Sequence, residues 1–166
     1  MDSDYAVLKR RYEAIINGDP LLYTTLKYPG HCVSGIPVYS RYYFECNGVV
    51  FLDGNGVCGV GHYDLREKNP KEYLDELIED LSAKTVLKTL TSVVIGGDPK
   101  HFKLILEWLD SKHIPIIGQY LDGAEYCIAD FPGVDDLLKS LLVLPSTQEV
   151  ILFSRKSGFM QLVPTT

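Results

Sequence analysis

The stretch Val49 to Tyr63, VVFLDGNGVCGVGHY, constrains the fold more than any other part of the chain. Two apolar runs flank Asp53-Gly54-Asn55-Gly56, and Gly and Asn are the residues that reach the positive-φ conformations of a tight hairpin turn. Strands joined by so short a turn must pair antiparallel. A second signal of the same kind, Asp122-Gly123, separates the expected strands Ile114 to Gln119 and Glu125 to Asp130. A purely parallel sheet is therefore excluded.

Helical patterns surround these strands. Tyr5, Leu8, Tyr12 and Ile15 recur at the spacing of one helical face, and Asn17-Gly18-Asp19-Pro20 ends that helix. An irregular Gly- and Pro-rich segment is expected up to Pro37, then strands over Tyr39 to Cys46, Val49 to Asp53 and Val57 to Tyr63. Asn69-Pro70 opens a helix whose apolar face runs through Tyr73, Leu74, Leu77, Leu81 and Leu87. Thr91 to Ile95 is a buried strand, and Asp98-Pro99 supplies an N-cap and a first-turn proline for a helix from about Lys100 to Ser111. Val134 to Val143 is expected as a short helix and Glu149 to Phe153 as the last strand. The order predicts an α+β (mixed α/β) fold: a mixed, largely antiparallel β-sandwich flanked by helices. With 166 residues and no repeat or linker, one domain over 1–166 is expected.

Composition narrows the function classes. A hydrophobic content of 46% with 23% charged residues is that of an ordinary globular chain. No apolar run approaches the roughly 20 residues that span a bilayer, so no membrane insertion is expected. Met1 to Gly18 lacks a basic start followed by an apolar stretch, so no signal peptide is expected, and the expected location is cytoplasmic. Sixteen Lys and Arg against 22 Asp and Glu give a net charge of -6, which argues against nucleic-acid partners. The four cysteines, Cys32, Cys46, Cys58 and Cys127, are expected to be reduced.

Thiol chemistry needs a base, and histidine serves best near neutral pH. His31 adjoins Cys32, but neighbours on an extended chain point to opposite sides. His101 and His113 lie at the two ends of an expected helix, as solvated or capping residues. His62 follows Gly59 and Gly61 within a strand, where glycines mark a bulge or a close approach. Its relation to Cys46 turns on register. A three-residue Gly54-Asn55-Gly56 loop sets Gly48 opposite His62 and Cys46 diagonal to it on the same face. A two-residue loop puts the two on opposite faces unless a bulge intervenes. Structural zinc is disfavoured, since Cys58 and His62 give only one short ligand interval. Cys32, in the glycine-flanked Gly30-His31-Cys32-Val33-Ser34-Gly35, ranks second as nucleophile.

The wider pattern resembles the CheD family of chemoreceptor glutamine deamidases. There a threonine precedes the catalytic cysteine by six residues, the cysteine's strand ends in an aspartate, and a histidine follows after a glycine-containing return strand. Here Ser40 stands six before Cys46, Asp53 seven after it and His62 sixteen after it. Val93-Val94-Ile95-Gly96-Gly97, Ile114-Pro115-Ile116, Asp122-Gly123 and Gln148-Glu149-Val150 are similar to later family segments in the same order. The likeness runs from about Val38 to Phe153, and 1–37 has no clear counterpart. Phe44-Glu45 stands where the family has Gly-Ser, and Ser40 where it has threonine.

The resemblance implies a chemotaxis-related deamidase, on a Cys-His hydrolase fold shared with toxins resembling cytotoxic necrotizing factor. It implies Cys46 as nucleophile, His62 as base and acid, Ser40 as orienter of the imidazole, and backbone N–H groups near Cys46 and Asn47 as oxyanion donors. Ser40 without the resemblance reads as a strand-end hydroxyl bonding its own backbone. No metal or cofactor is implied, and the partner is a protein carrying the target glutamine. The alternative is a CheD-like binding module that has lost catalysis.

Overall fold

The computed structural model describes residues 2–26, 29–43, 46–63, 69–121, 139–155 and 157–164. Helix α1 (Asp2–Ile16) precedes strands β1 (Thr24–Leu26), β2 (Gly30–Ser34), β3 (Val38–Tyr43), β4 (Asn47–Leu52) and β5 (Cys58–Tyr63). Then follow α2 (Pro70–Ser82), β6 (Thr91–Gly96), α3 (Pro99–Ser111), β7 (Ile116–Leu121), β8 (Lys139–Leu144), β9 (Glu149–Ser154) and β10 (Gly158–Gln161). Two mixed five-stranded sheets result, in the orders β1-β3-β8-β9-β10 and β2-β5-β4-β6-β7. Most pairs are antiparallel; β1 with β3 and β6 with β7 are parallel.

Three apolar clusters define four layers. Val38, Leu141, Val143, Val150 and Leu152 of one sheet meet Val50, Leu52, Val60, Val93 and Ile95 of the other. Val49, Phe51 and Val94 on the second sheet's outer face are covered by Leu74, Leu77 and Leu81 of α2 and Ile105, Trp108 and Leu109 of α3. Tyr12 of α1 covers Leu142, Leu144 and Ile151 on the first sheet's outer face. Each of these sheets is therefore buried on both faces. The Arg11 guanidinium forks onto the Glu149 carboxylate, with Nη1 to Oε2 at 2.6 Å, and ties α1 to β9. This fork holds the Glu149 carboxyl below its ordinary pKa against the opposing effect of partial burial.

The caps follow the sequence. Asn69 accepts from the Lys71 N–H and Asp98 from the Lys100 N–H, each ahead of a first-turn proline. Such caps are worth roughly 1 kcal/mol apiece.

Four expectations need correction. The segment up to Pro37 holds β1 and β2 rather than irregular chain. The strand expected to reach Cys46 ends at Tyr43. Helix α2 stops at Ser82, so Leu87 lies in a separate 3-10 turn and is 37% exposed. Residues Lys139–Leu144 form β8, not a helix. Leu141 and Val143 point between the sheets while Leu142 and Leu144 point at α1, so apolar residues on both faces erase the alternation that marks a strand. The expected Asp122-Gly123 turn, the Glu125 to Asp130 strand and Cys127 lie outside the described residues. No helix among the described residues is long and apolar enough to cross a membrane.

Candidate functional site

The β4–β5 hairpin sets the geometry. Gly54 and Gly56 take φ of 78° and 104°, left-handed values that explain two glycines in one turn. The Asp53 N–H donates to the Val57 carbonyl at 3.2 Å, and pairing runs Leu52 with Cys58, Gly48 with His62 and Asn47 with Tyr63. That is the three-residue-loop register. Asp53 braces the turn: its Oδ1 accepts from the Asn55 and Val57 N–H groups at 2.7 and 2.9 Å, and its Oδ2 from the Thr85 hydroxyl at 2.9 Å. Burial pushes this carboxyl's pKa up, but those donors outweigh it and the net shift is downward.

The register sorts the side chains. Val50, Leu52, Cys58 and Val60 face the opposite sheet, and Val49, Phe51 and Tyr63 face α2 and α3. His62 is fully buried on the inter-sheet side, where its ring stacks on Tyr43 of β3. Cys46 lies one residue ahead of β4, partly buried, and packs against the same inter-sheet cluster. Thiol and imidazole thus belong to one side of the hairpin.

Tyr43 joins these groups, and the sequence reading missed it. Its ring lies 3.7 Å from the His62 ring between centroids, with planes only 13° apart. Its hydroxyl is 2.6 Å from the Ser40 hydroxyl. Ser40 therefore bonds to the phenol, not to the imidazole that the resemblance implied. Burial pushes the Tyr43 pKa up; the Ser40 hydrogen bond opposes this, and the nearby Cys46 and Cys32 thiols reinforce it. By strict alternation Ser40 and Tyr43 would face opposite sides of β3. A register shift between Arg41 and Tyr43 against β8 brings both into the interior. The residue types alone carry no turn or glycine signal for that bulge.

Asn47 is fully buried on the helix-facing side, and a β-carbon on Gly96 would fall 2.2 Å from its Oδ1. Its side-chain amide has no hydrogen-bond partner among the described residues. Its expected part in the site concerns the backbone N–H, which this side-chain orientation leaves unaffected. Cys32 pairs with Val60, and burial pushes its pKa up to about 11, so it is a protonated thiol at neutral pH. Burial raises the Cys58 thiol further still. Lys139 lies across from Tyr43 in the β3–β8 register and is 1% exposed. The remaining histidines sit elsewhere: His31 Nε2 lies 2.8 Å from Asp80, His101 Nδ1 lies 2.6 Å from Asp98, and His113 is exposed just past α3. Phe44 and Glu45 lie outside the described residues. No protein-family model matches the chain, and no curated protein matches it.

Proposed function

We propose that this chain is a cytoplasmic, CheD-like cysteine amidohydrolase that deamidates a glutamine side chain of a partner protein. The observation that carries the reading is the hairpin register. It sets His62 opposite Gly48, on the side where Cys46 packs, with Tyr43 stacked on the imidazole.

In this mechanism the Cys46 thiolate attacks the glutamine carboxamide carbon, and the carbonyl π pair moves onto oxygen. Backbone N–H groups at Cys46 and Asn47 hold that oxyanion. Collapse breaks the C–N bond as protonated His62 gives its proton to the departing ammonia, leaving a thioester. His62, now neutral, takes a proton from water as the water attacks the thioester. The second collapse expels the Cys46 thiolate and leaves a glutamic acid carboxyl, whose proton passes to the released ammonia. The Ser40–Tyr43 pair holds the imidazole from its face, in place of a direct hydroxyl contact.

Thiol reactivity separates this enzyme from a binding module on the same fold. Iodoacetamide should label Cys46 rapidly near neutral pH, and His62→Ala should slow that labelling by about tenfold or more, since an unassisted thiol is only a few per cent thiolate there. Slow labelling indifferent to His62 would favour the binding module instead.

A further inference from the structure

Resting on that reading, we propose that Tyr43 is the positioning residue of the site: its phenol ring fixes the plane of the His62 imidazole and favours the imidazolium that partners a Cys46 thiolate. Three observations converge on it. The ring overlies the imidazole at 3.7 Å and 13°, which blocks rotation of the imidazole out of that plane. The far end of the phenol is anchored by the Ser40 hydroxyl at 2.6 Å. The strand residue directly across from His62 is Gly48, where a β-carbon would fall 2.6 Å from Tyr43 Cε1 and 3.1 Å from Ile95 Cγ1. Only a side-chain-free position opposite the histidine leaves room for the tyrosine to lie there.

The chemistry follows from the ring's charge distribution. The face of an electron-rich phenol attracts a cation and gives little to a neutral ring, so stacking weights His62 toward its protonated form. Among the described residues, the other titratable groups on this inter-sheet side are Cys46 ahead of β4, Cys58 on β5, Cys32 on β2, Tyr120 on β7 and Lys139 on β8, opposite Tyr43. A tyrosine that only filled the core would leave the His62 titration where it is, and that difference makes the assignment testable.

The test uses the full chain and two readouts: the pH profile of iodoacetamide labelling at Cys46, and the His62 titration followed by NMR of the imidazole. Tyr43→Leu removes the stack and should slow Cys46 labelling near neutral pH by about tenfold, with the His62 midpoint shifted down. Tyr43→Phe keeps the stack but loses the Ser40 anchor, and should slow labelling less than Tyr43→Leu does. If Tyr43→Leu does not fold, Tyr43→Met restores most of the volume without a ring and decides by the same readouts. A folded, ring-free variant with the parent profile and the parent His62 midpoint overturns the assignment. His62→Ala separates the two levels. Should it slow labelling while the ring-free variant does not, only the positioning role fails. Should His62→Ala label like the parent, the deamidase reading fails and this inference goes with it.

Discussion

Asp53 shows how much one side chain fixes at this site. A single carboxylate, 5% exposed, accepts two turn N–H groups and the Thr85 hydroxyl, and so holds the loop that sets the register of Gly48 against His62. Asp53→Ala leaves those donors without their acceptor and should destabilise the fold by about 1–3 kcal/mol in chemical denaturation. The pH dependence has a definite sign. The folded-state pKa lies below the ordinary 3.8, so the carboxylate's contribution is fully present above that value and is lost as pH falls through the lower, folded one. The difference in stability between parent and Asp53→Ala should accordingly shrink in acid. At this scale the facing of His62 and Gly48 was legible, because hairpin pairing is integer arithmetic once the loop length is known. Tyr43 was not. A bulge in β3 moves it to the interior, and nothing in Ser40-Arg41-Tyr42-Tyr43 announces that extra residue.

Among the elements, those with local chemistry were readable and those defined by partners were not. Helices α2 and α3 begin at Asn69-Pro70 and Asp98-Pro99 because caps act through adjacent N–H groups. Strand β8 was misread because its apolar residues serve two layers, and β1 and β2 were missed because each is short and lies at a sheet edge. Strand β7 carries a contact that no pattern reveals. A β-carbon on Gly118 would fall 2.0 Å from the Leu162 carbonyl oxygen, a backbone atom that can yield only by moving the chain after β10. Gly118→Ala should therefore cost about 1–3 kcal/mol, more than ordinary strand propensity would predict, and a denaturant melt would measure it. A neutral substitution would show that this approach relaxes freely.

Across the whole molecule the candidate site is a seam. Ser40 and Tyr43 come from one sheet, and His62 and the chain leading into β4 come from the other, so the constellation exists only while the sandwich is closed. The sandwich itself could be anticipated from the mixture of hairpin and helix signals. The four-layer stacking could not, since it depends on which faces meet. The amide hydrolysis proposed for this seam is measured most directly as ammonia release from a glutamine-containing peptide and protein library. The parent chain should release ammonia, with loss to background in Cys46→Ser and the same loss in His62→Ala, and with conversion of one glutamine to glutamate detected by mass spectrometry. Ammonia release that survives Cys46→Ser, or a parent chain that releases none from any glutamine substrate, would contradict it.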